Sequence, residues 1–165
     1  IQAIWALIIA SIGIIIYVSF RFEFKYAVSA LLALYHDAII TTGIIALLWR
    51  TIDVTFVAAI LTIMGYSIND TIVIYDRIRE NLKKPAYAKK KLSEVVNISI
   101  WETMARSINT VLTVVVMVLC LLLLGGETLR EFSLTLLIGL TLGACSSIFV
   151  ASPIMVIWHN WESKR

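Results

Sequence analysis

Five apolar runs follow one another along this chain, over residues 1–20, 26–49, 54–75, 107–124 and 132–158. Each approaches or exceeds the roughly 20 mostly apolar residues that a helix needs to cross a bilayer. The last run is longer than that minimum, which predicts tilt or protrusion. Four connections separate the runs, at 21–25, 50–53, 76–106 and 125–131, the final one opening on Gly125-Gly126. The pattern predicts an all-α integral membrane protein with five transmembrane helices, since a helix satisfies its own backbone in lipid.

Composition sharpens this. Of 165 residues, 60% are hydrophobic and 15% charged, and the mean hydropathy is +0.92. A soluble domain is nearer half apolar and a quarter charged. The first run begins at Ile1 without an initiator methionine. It also lacks the basic start and small-residue exit of a signal peptide, so a longer polypeptide is expected around it. Cys120 and Cys145 lie inside apolar runs and read as small buried hydrophobes rather than a disulfide or metal pair.

The net charge of +3 follows from topology and does not call for a nucleic-acid partner. With five spans, the connections 21–25 and 76–106 and the C-terminus share one side, and they hold twelve of the fourteen basic residues. Only Arg50 and Arg130 face the other way. The positive-inside rule then puts the basic side and the C-terminus in the cytoplasm. Within 76–106, apolar residues at 92, 95, 96, 100 and 104 have helical spacing. Beside Lys89–Lys91 and Trp101, a helix over 92–104 suits the headgroup region, and a solvated basic loop is the alternative.

In the last run Gly139, Gly143, Ser147 and Ala151 recur every fourth residue, a stripe that lets a neighbouring backbone approach closely. Pro153 follows it near the basic end. This face is assigned to helix packing.

Carboxylates inside spans carry the chemistry, because a charge near the bilayer centre costs roughly 2.5–3.5 kcal/mol or more. Asp37 sits mid-span in Tyr35-His36-Asp37, with Thr41 one turn on. Asp70 sits in the third span between Asn69 and Thr71, with Ser67 nearby. A carboxyl that can be neutral or charged near pH 7, set between helices, is what a proton relay requires. The alternative is a protonated aspartate serving as interhelical glue. Asn69 is placed to support such a site. His36 reads as a packing or interface residue, because adjacent helical side chains point about 100° apart. Arg106, Asn109, Thr110 and Thr113 form a polar stripe entering the fourth span, which predicts a face turned into the bundle. Snorkelling of Arg106 to the headgroups is its bland reading. No metal-ligand spacing, Gly-rich phosphate loop or nucleophile elbow is present, so no cofactor, metal or ATPase activity is expected.

The run Gly65-Tyr66-Ser67-Ile68-Asn69-Asp70-Thr71-Ile72-Val73-Ile74-Tyr75-Asp76-Arg77-Ile78-Arg79-Glu80-Asn81 closely resembles the SecF side of the SecD/SecF protein-export family, within the RND transporter superfamily. His36-Asp37, Arg106-Ser107-Ile108-Asn109-Thr110 and Leu124-Gly125-Gly126 agree with it, and the resemblance spans essentially the whole chain. It implies the last five helices of a six-helix RND-type half-bundle, with a first helix and an extracytoplasmic domain outside this sequence. It implies a bacterial cytoplasmic-membrane complex with SecD, separate or fused, acting at the SecYEG translocon with YidC/YajC-type accessory subunits. Such a complex uses the proton-motive force in late export, and the preprotein meets the outer domain. The family's membrane aspartate falls on Asp70, facing an aspartate of SecD, and its proton-transport arginine on Arg106. Asp37 matches a further motif. Many relatives have Arg-Thr where this chain has Arg106-Ser107. The rival readings are an RND-type lipid or small-molecule exporter and a passive translocon scaffold.

Overall fold

The computed structural model describes residues 2–22 and 24–162. Six α-helices follow in order: α1 (Gln2–Arg21), α2 (Phe24–Leu47), α3 (Val54–Leu82), α4 (Leu92–Leu124), α5 (Glu127–Ser146) and α6 (Ser152–Glu162). A π-helical turn, Ser147–Ala151, joins α5 to α6, so the two make one rod along the fifth apolar run. Among the described residues, four stretches are long and apolar enough to cross a membrane: Tyr26–Leu47, Val54–Leu82, Leu92–Leu124 and Leu129–Trp161. A shorter apolar helix covers Trp5–Arg21. The chain is a multi-pass helical membrane bundle.

The connections are set by local chemistry. Leu47 and Leu48 end α2 in a Schellman turn, with Arg50 N–H on the Ile45 carbonyl and Trp49 N–H on that of Ala46. Trp49 takes the left-handed position, at φ 54°, which glycine would enter more easily. Asp53 then caps α3, its carboxylate accepting the Phe56 N–H at 2.9 Å. At the other turn Gly125 donates its N–H to the Leu121 carbonyl at 2.8 Å. A Cβ on Gly125 would lie 2.3 Å from that oxygen, so the turn requires glycine there.

The connection expected over 76–106 is mostly helix. α3 continues to Leu82 and α4 starts at Leu92, which leaves 83–91, with a 3₁₀ turn at Pro85–Tyr87. Residues 92–104 are therefore not a separate helix lying along headgroups. They are the first turns of α4, collinear with the fourth span, and they bury Val95, Val96, Ser99 and Thr103. Buried Asn81 explains the difference: its amide donates to Ser99 Oγ (3.0 Å) and Glu102 Oε2 (2.6 Å), tying the end of α3 to α4. Arg77 adds an ion pair to Glu102 at 2.7 Å.

α3 runs through the middle, with α5 packed closely on it. A Cβ on Gly139 would fall 2.1 Å from Ile63 Cδ1, and one on Gly143 would fall 3.1 Å from Ser67 Cβ. Ser147 and Ala151 continue that face with no exposed surface. Ion pairs tie the ends of the helices. Arg21 meets Asp76 at 3.2 Å, while Arg50 meets Glu131 at 2.8 Å at the opposite end. Large apolar side chains such as Ile9, Ile39, Leu123 and Phe149 point outward, where lipid would lie. Cys120 and Cys145 are also exposed, correcting the expectation that they are buried: their runs are apolar all round, so hydropathy alone does not tell inside from outside.

Candidate functional site: hydroxyl-linked carboxylates on α2 and α3

Because Gly143 has no side chain, α5 can approach α3 at the level where α2 brings in Asp37. Asp37 is 1% exposed. Its Oδ2 accepts the Ser67 hydroxyl at 3.0 Å, and its Oδ1 lies 3.2 Å from His36 Nδ1. The two adjacent residues touch after all, with the histidine half-exposed and the carboxylate buried.

Asp70 lies one turn further along α3 and is also buried. Its Oδ1 accepts the Ser107 hydroxyl from α4 at 2.5 Å. Its Oδ2 is buried without a hydrogen-bond partner among the described residues. A buried, unpartnered carboxylate oxygen is costly, by about 1–3 kcal/mol or more for a charged group. Thr41 Oγ1, one turn on from Asp37, is likewise buried without a partner among the described residues, but it is a hydroxyl and not a carboxylate oxygen. Thr71, next to Asp70 in sequence, has its hydroxyl 2.9 Å from that of Ser147 on the α5 face. Hydroxyls from three helices thus surround the two carboxylates.

Other candidates fall outside this interior. Asn69 is exposed. Arg106, Asn109 and Thr113 are exposed and Thr110 is half-buried, so their stripe does not face into this bundle as expected. Their neighbour Ser107 does. The two threonines bond back along their own helix, to the carbonyls of Arg106 and Thr110, both at 2.8 Å. Arg106 makes no side-chain hydrogen bond or ion pair among the described residues. It stands on an open groove of about 390 Å³ with Asp76, Arg77, Glu80 and Glu102. Sequence reasoning missed Ser107 as an Asp70 partner. The available signal was its place one residue from Arg106, on the adjoining helix face. Among the described residues no group of three His, Cys, Asp or Glu side chains is placed to hold a metal.

The fold and site define a multi-pass helical membrane protein with titratable groups in its interior, set among hydroxyls. The family model described as "Protein export membrane protein SecD/SecF, C-terminal" matches residues 1–161, and the chain belongs to that family. It is 52% identical, over 99% of its length, to the protein translocase subunit SecF of Alicyclobacillus acidocaldarius, covering 54% of that protein. It is 49% identical, again over 99% of its length, to the protein translocase subunit SecDF of Bacillus subtilis, covering 22% of it. The crystal structure of SecDF from Thermus thermophilus, a translocon-associated membrane protein, matches with a TM-score of 0.91 and 42% identity. That match covers 96% of this chain and 22% of the solved one. The chain thus spans about half the length of a SecF relative and about a fifth of SecDF proteins.

Proposed function

We propose that this region is the proton-conducting membrane part of a SecD–SecF complex, using the proton-motive force to assist late protein export through the Sec translocon. Asp70 is the relay, alternating between protonated and ionised forms. One observation carries this reading: Asp70 is buried mid-helix with one oxygen held by Ser107 and the other unpartnered. A group serving only as glue would be expected to have both oxygens engaged. The open oxygen suits a group that exchanges a proton or meets a partner beyond this chain. That partner is an aspartate of SecD, with Arg106 on the neighbouring exposed face. The basic end and the C-terminus lie in the cytoplasm. Preprotein is handled by an outer domain outside this sequence.

The scaffold reading is favoured only by the Ser107–Asp70 bond, which is the kind of contact that glue would make. Asp70→Asn separates the two, because an amide keeps hydrogen-bonding capacity but cannot titrate. In membrane vesicles carrying the full complex at equal abundance, secretion is measured with and without an imposed proton gradient. Asp70→Asn is expected to lose the gradient-dependent stimulation and keep the ATP-driven portion. Equal stimulation in variant and wild type would replace the relay with the scaffold.

A further inference from the structure

The wide turn between α5 and α6 has chemistry that the relay alone does not explain. π-helical turns are rare and concentrate at functional sites. Pro153 offers no N–H to the carbonyl four residues back, so a regular α-helix is already interrupted here. Hydroxyls reach both ends of the turn. Ser152 Oγ donates to the Ser147 carbonyl at 2.9 Å, and the Tyr75 hydroxyl donates to the Ala151 carbonyl at 3.1 Å.

Tyr75 is 0% exposed, and its ring packs edge-on against Phe22 and Tyr26. Its oxygen also lies 2.8 Å from Ser29 Oγ on α2. A carbonyl only accepts, so the single Tyr75 proton goes to Ala151, and the Ser29 proton is shared between Tyr75 and the Tyr26 carbonyl, which Ser29 Oγ also reaches at 3.0 Å. These contacts tie α2 and α3 to the last residue of the turn.

The first residue of the turn is Ser147. Its hydroxyl lies 3.1 Å from the Gly143 carbonyl and 2.9 Å from Thr71 Oγ1, and it stands near the Asp70 carboxyl without making a hydrogen bond to it. Thr71 in turn reaches the Ser67 carbonyl at 3.1 Å. These hydroxyls have two protons for three bonds, so their arrangement depends on where Ser147 sits. A π turn holds one residue more than an α turn, and closing it would rotate α6 against α5 by about 100°. Either Ser147 or Ala151 would then leave α3.

We infer that Tyr75 is a positioning residue for Asp70: by holding the Ala151 carbonyl it keeps the wide turn open and Ser147 beside the carboxyl. This deepens the relay reading and rests on it. The test uses the full complex in membranes and reads the infrared carbonyl stretch of the protonated Asp70 carboxyl, identified by its loss in Asp70→Asn. Tyr75→Phe keeps the ring and removes the hydroxyl. It is expected to shift that band and to lower gradient-dependent export about fivefold, the factor for one net hydrogen bond. Ser147→Ala should do the same, with the double variant no worse than Ser147→Ala alone. Should Tyr75→Phe assemble poorly, Ser29→Ala removes the other half of the clamp and should shift the band likewise. An unmoved band with wild-type export, or additive effects of Tyr75→Phe and Ser147→Ala, overturns the role of Tyr75. If instead Asp70→Asn removes no band or keeps gradient stimulation, the relay itself fails.

Discussion

Asp37 and Asp70 are both buried aspartates in spans, yet their surroundings differ in what they leave undone. Asp37 has Ser67 on one oxygen and His36 on the other, whereas Asp70 has an oxygen without a partner. Structural use requires bonds that persist, and proton exchange requires an open lone pair. Asp37→Asn is therefore expected to reduce gradient-dependent export less than Asp70→Asn does, at equal abundance in the same vesicle assay. Equal or greater loss would move the relay toward Asp37. Arg106 poses the opposite question, being exposed on this chain with acidic groups across its groove. A snorkelling arginine tolerates lysine, which reaches the headgroups as well. A guanidinium making a directional, two-pronged bond to a carboxylate does not. Arg106→Lys is expected to impair export despite keeping the charge. Normal export in both Arg106→Lys and Arg106→Ala would remove this residue from the mechanism.

At the scale of the elements, close approach of α3 and α5 depends on Gly139. A methyl there would fall 2.1 Å from Ile63 Cδ1, so the isoleucine must move. Gly139→Ala is expected to destabilise the bundle by about 1–3 kcal/mol, as overpacked cores do. Ile63→Val should restore part of that loss in thermal unfolding of the detergent-solubilised complex, and purely additive effects would place the strain elsewhere. The start of α3 responds to pH through Asp53, whose carboxyl is held below its usual value, chiefly by the Phe56 N–H. A lowered folded value means that the cap's contribution is present above the unfolded pKa. It is lost as pH falls through the folded one. Hydrogen exchange at the Phe56 amide should therefore accelerate, after correction for intrinsic rates, as pH drops below about 4. Asp53→Asn should remove that pH dependence while keeping the cap. The Gly139 and Gly143 part of the fourth-residue stripe could be read directly, because helical spacing maps onto one face. The wide turn could not, since nothing in the spacing counts the extra residue. Pro153 marked only an interruption.

For the whole molecule, the apolar runs made the all-helical membrane architecture legible, because run length is a one-dimensional property of the chain. Which way each helix faces is set by its neighbours, and that was lost for the Arg106–Thr113 stripe and for both cysteines. Facing matters for the energetics too. One charge crossing 100 mV releases about 2.3 kcal/mol, whereas a shift from 1:99 to 99:1 needs about 5.5. On the proposed relay, one such proton would bias the packing of the bundle against its partner without driving a full shift alone, and the sign of that bias would depend on orientation. Twelve of fourteen basic residues are assigned to one side by chain order, and the Arg21–Asp76 pair joins two of those segments. On the proposed topology, the positive-inside rule makes this side cytoplasmic. Lys90 is exposed at the basic end, and Gly126 at the other end has nothing within 4 Å of an added Cβ, so both positions accept a cysteine. Gly125 would not. With Cys120 and Cys145 replaced, a membrane-impermeant thiol reagent should label Gly126→Cys in intact cells. Lys90→Cys should be labelled only after the cells are opened. Labelling of Lys90→Cys from outside, with Gly126→Cys protected, would invert the bundle and with it the direction in which Asp70 takes up its proton.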